Sequence, residues 1–195
     1  MSRMRIFFTG VGGQGTVTAT RLLAQAALDE GLPVVAGEVH GMAQRGGIVE
    51  STVLIGGYVS PRISPGEADV LLGFEPLETL RALAYLAPGG LILSSSEQLP
   101  PISVTCGREQ APPFEDMERM VRECTSNVHF LPCQQLGVQA GSIPAGNMAL
   151  LGALCVLNRL PFGLERMEKT ISSSIAPKLV ESNIKALHLG AEAVR

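Results

Sequence analysis

Two short segments hold most of the residues that could do chemistry. The first is Gly10-Val11-Gly12-Gly13-Gln14-Gly15, followed by Thr16. The second is His40-Gly41-Met42-Ala43-Gln44-Arg45-Gly46-Gly47. Glycines let a backbone approach a ligand without interference from a Cβ. The free N–H groups at the start of a following helix then point at whatever fills the turn. Gln44 and Arg45 add an amide and a cationic fork suited to carboxylates and phosphates. Gln14 and Arg45 could thus share an anionic or carbonyl ligand above one end of a sheet. A third candidate is Asn147, either as a helix cap or as a ligand contact. No nucleophile–base pair and no pair of carboxylates stands out, so no catalytic residue is assigned.

The elements that must position these groups follow from the hydrophobic pattern. Residues 4–9 form an apolar strand that runs into the glycine turn, and 14–30 form a helix with Gly31 at its end. Residues 33–37 form a second strand, as in a right-handed parallel βαβ unit. Residues 48–55 and 58–60 flank Gly56-Gly57, which signals a β-hairpin. Alternation then resumes. Strands are expected at 68–74, 90–95, 102–105 and 128–131, and helices at 75–86 and 114–123. Helices over 144–157, 164–172 and 177–194 make up the C-terminal third, with Pro177 suited to a first turn. The expected fold is a single-domain α/β three-layer sandwich. It has a Rossmann-like, mostly parallel sheet, a β-hairpin insertion and a helical C-terminal third. The domain is expected to span 1–195.

The glycine turn matches G-x-G-x-x-G at Gly10, Gly12 and Gly15, and Glu38 ends the second strand where a ribose-binding acid would sit. Against a dinucleotide site, the segment after Glu38 is a second glycine-rich loop and not a crossover helix. Glu38 could equally pair with Arg45. His129, inside a strand, reads as a packed or surface histidine. His188 reads as a structural or solvated residue without an evident partner.

Bulk properties narrow the function classes. The chain has 195 residues, 46% of them hydrophobic and 17% charged, which excludes disorder. The formal net charge of −3, with 2 tyrosines, 6 phenylalanines and no tryptophan, argues against nucleic acid. The N-terminus reads as no signal peptide, and no apolar run nears the roughly 20 residues of a membrane span, so a cytoplasmic location is expected. Cys106, Cys124, Cys133 and Cys155 form no CxxC pair, which speaks against a metal or cluster site in this chain.

The Gly10–Gly15 turn with its helix, the His40–Gly47 loop with its strand, and Gly141-Ser142-Ile143-Pro144-Ala145-Gly146-Asn147-Met148 together resemble the gamma-type subunit of 2-oxoacid:ferredoxin oxidoreductases. The resemblance covers essentially the whole chain. The His-Gly-Met-Ala-Gln-Arg-Gly-Gly wording is most similar to the small (beta) subunit of the indolepyruvate type. The resemblance implies one part of a hetero-oligomer that oxidatively decarboxylates a 2-oxoacid to an acyl-CoA. It places thiamine diphosphate and iron–sulfur clusters on a large partner subunit, with electrons passing to ferredoxin and coenzyme A as co-substrate. This chain would hold no cofactor alone and would be inactive in isolation. Gly12, Gly13, Gln14, Gly15, Thr16, Gln44, Arg45, Gly46 and Asn147 would face coenzyme A or a diphosphate. An autonomous NAD-dependent oxidoreductase and a noncatalytic scaffold on the same fold remain as alternatives.

Overall fold

The computed structural model describes residues 3–40, 47–99, 104, 106–107 and 110–195. Strand β1 (Met4–Val11) leads through the glycine turn into helix α1 (Thr16–Asp29). Strands β2 (Val34–His40), β3 (Ile48–Ile55) and β4 (Ala68–Gly73) follow. Helix α2 (Pro76–Arg81) runs through a 3-10 turn (Ala82–Tyr85) into β5 (Leu86–Ser95). Next come α3 (Phe114–Cys124), β6 (Val128–Leu131) and α4 (Cys133–Gln139). A 3-10 turn (Ile143–Gly146), α5 (Asn147–Val156), α6 (Leu164–Ser174) and α7 (Pro177–Glu192) complete the described chain.

The six strands form one sheet in the order β2-β3-β1-β4-β5-β6. Strands β1, β4, β5 and β6 are parallel, while β3 runs antiparallel to both of its neighbours, β1 and β2. Successive strand residues face opposite sides. Ile6 and Phe8 therefore enter a core built with α1 and the C-terminal helices, whereas Phe7 enters a smaller core with Ala82 and Val121. The result is the expected three-layer α/β arrangement, with both faces of the parallel strands covered.

Two local expectations are corrected. The antiparallel hairpin is present, but its arms are β2 and β3, not residues 48–55 with 58–60. Both hydrogen-bonding sides of β3 are already used, by β1 and by β2, so residues 58–60 have no ladder to join. Gly56 and Gly57 still turn with positive φ, but Pro61 then packs over Gly37, and its carbonyl accepts from Thr52 Oγ1 at 2.6 Å. β3 takes the inner position because Val49, Val53, Leu54 and Ile55 bury apolar surface on both faces. In β2, by contrast, Ala36, Glu38 and Val39 are exposed. The helix expected over 75–86 stops at Arg81, and β5 begins four residues before Gly90, with Leu86 in register with Ala68. The strand expected at 102–105 lies essentially outside the described residues. Helix α4 gives no clear signal in the sequence, being short, glutamine-rich and interrupted by Gly137.

Among the described residues, no helix is long and apolar enough to cross a membrane.

Candidate functional site

The carboxyl ends of β1, β4, β5 and β6 meet at a cavity of about 230 Å³. Open α/β sheets bind ligands at this edge, where the connections on either side of a strand pair diverge. Each strand delivers residues to it: Gly13 and Gln14 after β1, Phe74 after β4, Ser95 at the end of β5, and Cys133 after β6. Ile143, Pro144, Gly146 and Asn147 form the opposite wall, and Leu99 lies at the rim.

The glycine turn is held from within. The Val11 N–H donates to Gln14 Oε1 at 2.8 Å, and Gln14 Nε2 donates to the Phe74 carbonyl at 2.9 Å. Both ends of the Gln14 amide therefore clamp the end of β1 to the end of β4. The Phe74 N–H donates in turn to the Thr9 carbonyl at 2.8 Å. The Gly12 N–H donates to the Gly47 carbonyl at 2.8 Å, which brings the end of the second glycine-rich loop against the first. Gly13 (φ 103°) and Gly15 (φ 82°) adopt left-handed backbone conformations that favour glycine. A Cβ on Gly13 would meet open space, whereas one on Gly15 would lie 2.1 Å from Asn147 Nδ2. Gly15 is thus a packing glycine as well as a turn glycine.

Thr16 opens α1, and its Oγ1 is buried without a hydrogen-bond partner. Asn147 opens α5 but makes no side-chain cap; Gly146 holds the cap position. The Asn147 Nδ2 lies 3.5 Å from the carbonyls of Gln14 and Gly15, and its Oδ1 is buried and unpaired. Gln44, Arg45 and Gly46 lie outside the described residues. So does any pairing of Glu38 with Arg45.

The described electrostatics oppose an anion. No lysine or arginine is among the described residues lining the cavity. The Glu97 carboxylate accepts the backbone N–H groups of Gln134 (a short contact) and Gln135 (3.1 Å), so an acid already caps the start of α4. Buried Glu75 caps α2 by accepting the Glu78 N–H at 2.9 Å and also accepts the Leu99 N–H. Burial raises its carboxyl above the usual range, outweighing those hydrogen bonds. Burial likewise pushes the Cys133 thiol up to about 12, despite a hydrogen bond with Ser95, so it is a neutral wall and not a nucleophile.

The described residues do not fit an iron–sulfur cluster: no three His, Cys, Asp or Glu side chains gather to hold a metal. Cys106 and Cys124 are exposed, and Cys133 and Cys155 are buried. A dinucleotide is disfavoured by topology. In the dinucleotide-binding fold the ribose acid sits on the strand next to β1, roughly 4.8 Å away. Here β3 intervenes and sets Glu38 about twice as far off.

His129 is half-buried on β6. His188 does have a partner: its Nε2 lies 2.9 Å from Glu168 Oε1, joining α7 to α6. Sequence reasoning missed Phe74, Ser95, Leu99, Cys133 and Gln134. The usable signal was their position just after apolar strands, where the carboxyl-end rule points.

Comparison with known proteins agrees with the fold. Over 198 residues the chain is 41% identical to the indolepyruvate oxidoreductase subunit IorB of Pyrococcus horikoshii, covering 100% of this chain and 98% of that protein. The crystal structure of pyruvate oxidoreductase subunit PORC from Thermotoga maritima superposes with a TM-score of 0.72 at 24% identity, covering 100% of this chain and 98% of that one. The 2-oxoglutarate:ferredoxin oxidoreductase of Magnetococcus marinus, solved with 2-oxoglutarate, coenzyme A and succinyl-CoA, contains the same fold. It matches at a TM-score of 0.70 and 18% identity, with 100% of this chain aligned to 31% of that longer one. The profile of the pyruvate ferredoxin/flavodoxin oxidoreductase family matches residues 5–193, and the chain belongs to that family.

Proposed function

We propose that this chain is the small, gamma-type subunit of a 2-oxoacid:ferredoxin oxidoreductase of the indolepyruvate type. The observation that carries this reading is the 41% identity to an indolepyruvate oxidoreductase subunit, sustained over the full length of both chains. On this reading residues 1–195 form one gamma-type domain that works in a hetero-oligomer, in the cytoplasm. Thiamine diphosphate on a large partner subunit supplies carbanion chemistry at the oxoacid carbonyl, and clusters on that subunit pass electrons to ferredoxin. This chain contributes surface and shape.

The cavity suits a neutral group of coenzyme A, its amide-bearing arm, better than a diphosphate. Phe74, Leu99, Cys133, Ile143 and Pro144 give it apolar walls. The unpaired Asn147 Oδ1 is an acceptor that a small turn of the side chain would offer to an amide N–H. The Glu97 carboxylate, bonded to the backbone N–H of the lining residue Gln134, disfavours phosphate. Gly13 and Gln14 line the near wall, while Gly12, Gly15 and Thr16 belong to the turn that carries them and do not themselves line the cavity. Gln44, Arg45 and Gly46, outside the described residues, are proposed from the wording of their loop as further contacts to coenzyme A.

Reconstitution tests the assignment. The chain mixed with its large subunit should reduce ferredoxin with indolepyruvate and coenzyme A, and neither chain should do so alone. Turnover by the isolated chain, or micromolar binding of NAD to it, would overturn the reading in favour of a self-contained enzyme. Pantetheine should compete with coenzyme A in the complex, and inorganic diphosphate should compete poorly. The reverse order would place a diphosphate site here instead.

A further inference from the structure

The sheet ends in β2, a strand whose outer side is unpaired among the described residues, with Pro61 packed over one face at Gly37. Such edges are templates for another strand, and proteins usually blunt them with lysine, proline, bulges or short length. β2 is seven residues long, Val34 to His40, has neither lysine nor proline, and leaves Val39 70% exposed. Beside it runs a groove of about 440 Å³ between β2 and α1, walled by Arg21, Ala24, Leu28, Ala36 and Glu38. Leu28 is 54% exposed there. Neither Arg21 nor Glu38 is in an ion pair among the described residues.

We propose that this edge joins two copies of the chain, β2 against β2, into one continuous antiparallel sheet about a two-fold axis. The charge pattern selects a second copy as occupant. With the axis at Gly37, Glu38 stands opposite the second copy's Ala36, on the face that carries α1. Ala36, Glu38 and Arg21 wall the same groove, so each incoming carboxylate falls beside an arginine that the groove's own Glu38 also flanks, leaving the guanidinium to bridge the two. The two-fold repeats the pairing, giving two Glu38–Arg21 contacts and setting no like charges directly opposite. On the other face Val35 stands opposite Val39, twice over. The join covers the exposed Val39 of each copy and satisfies the outward N–H and C=O groups of β2. It leaves the carboxyl-end cavity open, since β3 stands between this edge and β1, the first strand that lines it.

Sedimentation of the purified full-length chain at micromolar concentration should give a species of about twice its 20.5 kDa. Val39→Lys, at an exposed site, should leave circular dichroism unchanged and weaken the dimer at least tenfold, lowering the melting temperature only as far as the lost association requires. Glu38→Arg and Arg21→Glu should each weaken it by about tenfold, and the double reversal should restore it. A wild type that stays monomeric overturns the proposal. So does a dimer indifferent to Val39→Lys, or a double reversal no better than the singles. If the chain is monomeric and Val39→Lys instead blocks assembly with the large subunit, the edge belongs to that subunit and not to a second copy.

Discussion

Replacing Gly15 by alanine separates two reasons for a glycine in the turn. If the residue is glycine only for its left-handed backbone, φ 82°, the cost is about 1–2 kcal/mol and does not depend on its neighbours. The structure adds a second term. The new methyl would lie 2.1 Å from Asn147 Nδ2, well inside contact distance, so the Asn147 side chain must turn away and give up its contacts with the Gln14 and Gly15 carbonyls, or α5 or the turn must shift. Overpacking of this kind costs about 1–3 kcal/mol. The expected loss is therefore roughly 2–5 kcal/mol in the wild-type background. Asn147→Ala alone removes two 3.5 Å contacts and an unpaired oxygen, so it should change stability by no more than about 1 kcal/mol. In that background the steric term disappears, and Gly15→Ala should cost only the backbone term. Urea unfolding of the four chains measures the coupling, expected at about 1–3 kcal/mol. Equal cost in both backgrounds would refute the packing argument and leave Gly15 as a turn glycine alone. Gly13→Ala is the control, since its Cβ would meet nothing within 4 Å.

Other consequences follow from the same contacts. In Gly152→Ala the Cβ would lie 1.8 Å from the Leu187 carbonyl oxygen, and in Gly190→Ala 2.0 Å from that of Ala149. Backbone cannot rotate aside, so each variant should lose at least about 3 kcal/mol or fail to accumulate as soluble protein. Gln14→Ala should cost about 2 kcal/mol in thermal or urea unfolding by stranding the Val11 N–H and the Phe74 carbonyl. Gln14→Glu should cost more, because a carboxylate would face the Phe74 carbonyl. Alkaline stability reports the two buried thiols. Cys133 and Cys155 are raised by burial from 9.0 to about 12, so the unfolded chain ionises first and stability falls as pH rises from 9 towards 12. The loss is about 1.4 kcal/mol per thiol near pH 10, and Cys133→Ala/Cys155→Ala should flatten the melting profile there.

The sequence by itself determined the alternation of strands and helices and the identity of the glycine turn. Apolar strand segments such as Ile6-Phe7-Phe8, and α1 with Ala19, Leu22, Leu23, Ala26 and Ala27 on one side, commit locally, because their period already decides which face is buried. The sequence also put the chain in its family, since the wording of both loops and of 141–148 survives without any fold being built. Strand order it could not give. Whether β3 pairs with residues 58–60 or inserts between β1 and β2 depends on competition for ladder edges among segments far apart in the chain, and of β2 and β3 the one that buries more apolar surface takes the inner place. The cavity was hidden for a similar reason. Its walls come from the ends of four strands and from residues 143–147, separated by up to 134 positions between Gly13 and Asn147 and gathered only when the sheet closes. Gln14 shows the difference most plainly. Its type suggested a hand extended to a ligand, but tertiary structure placed an amide hydrogen and a carbonyl within its reach, and both ends of the side chain are spent on them.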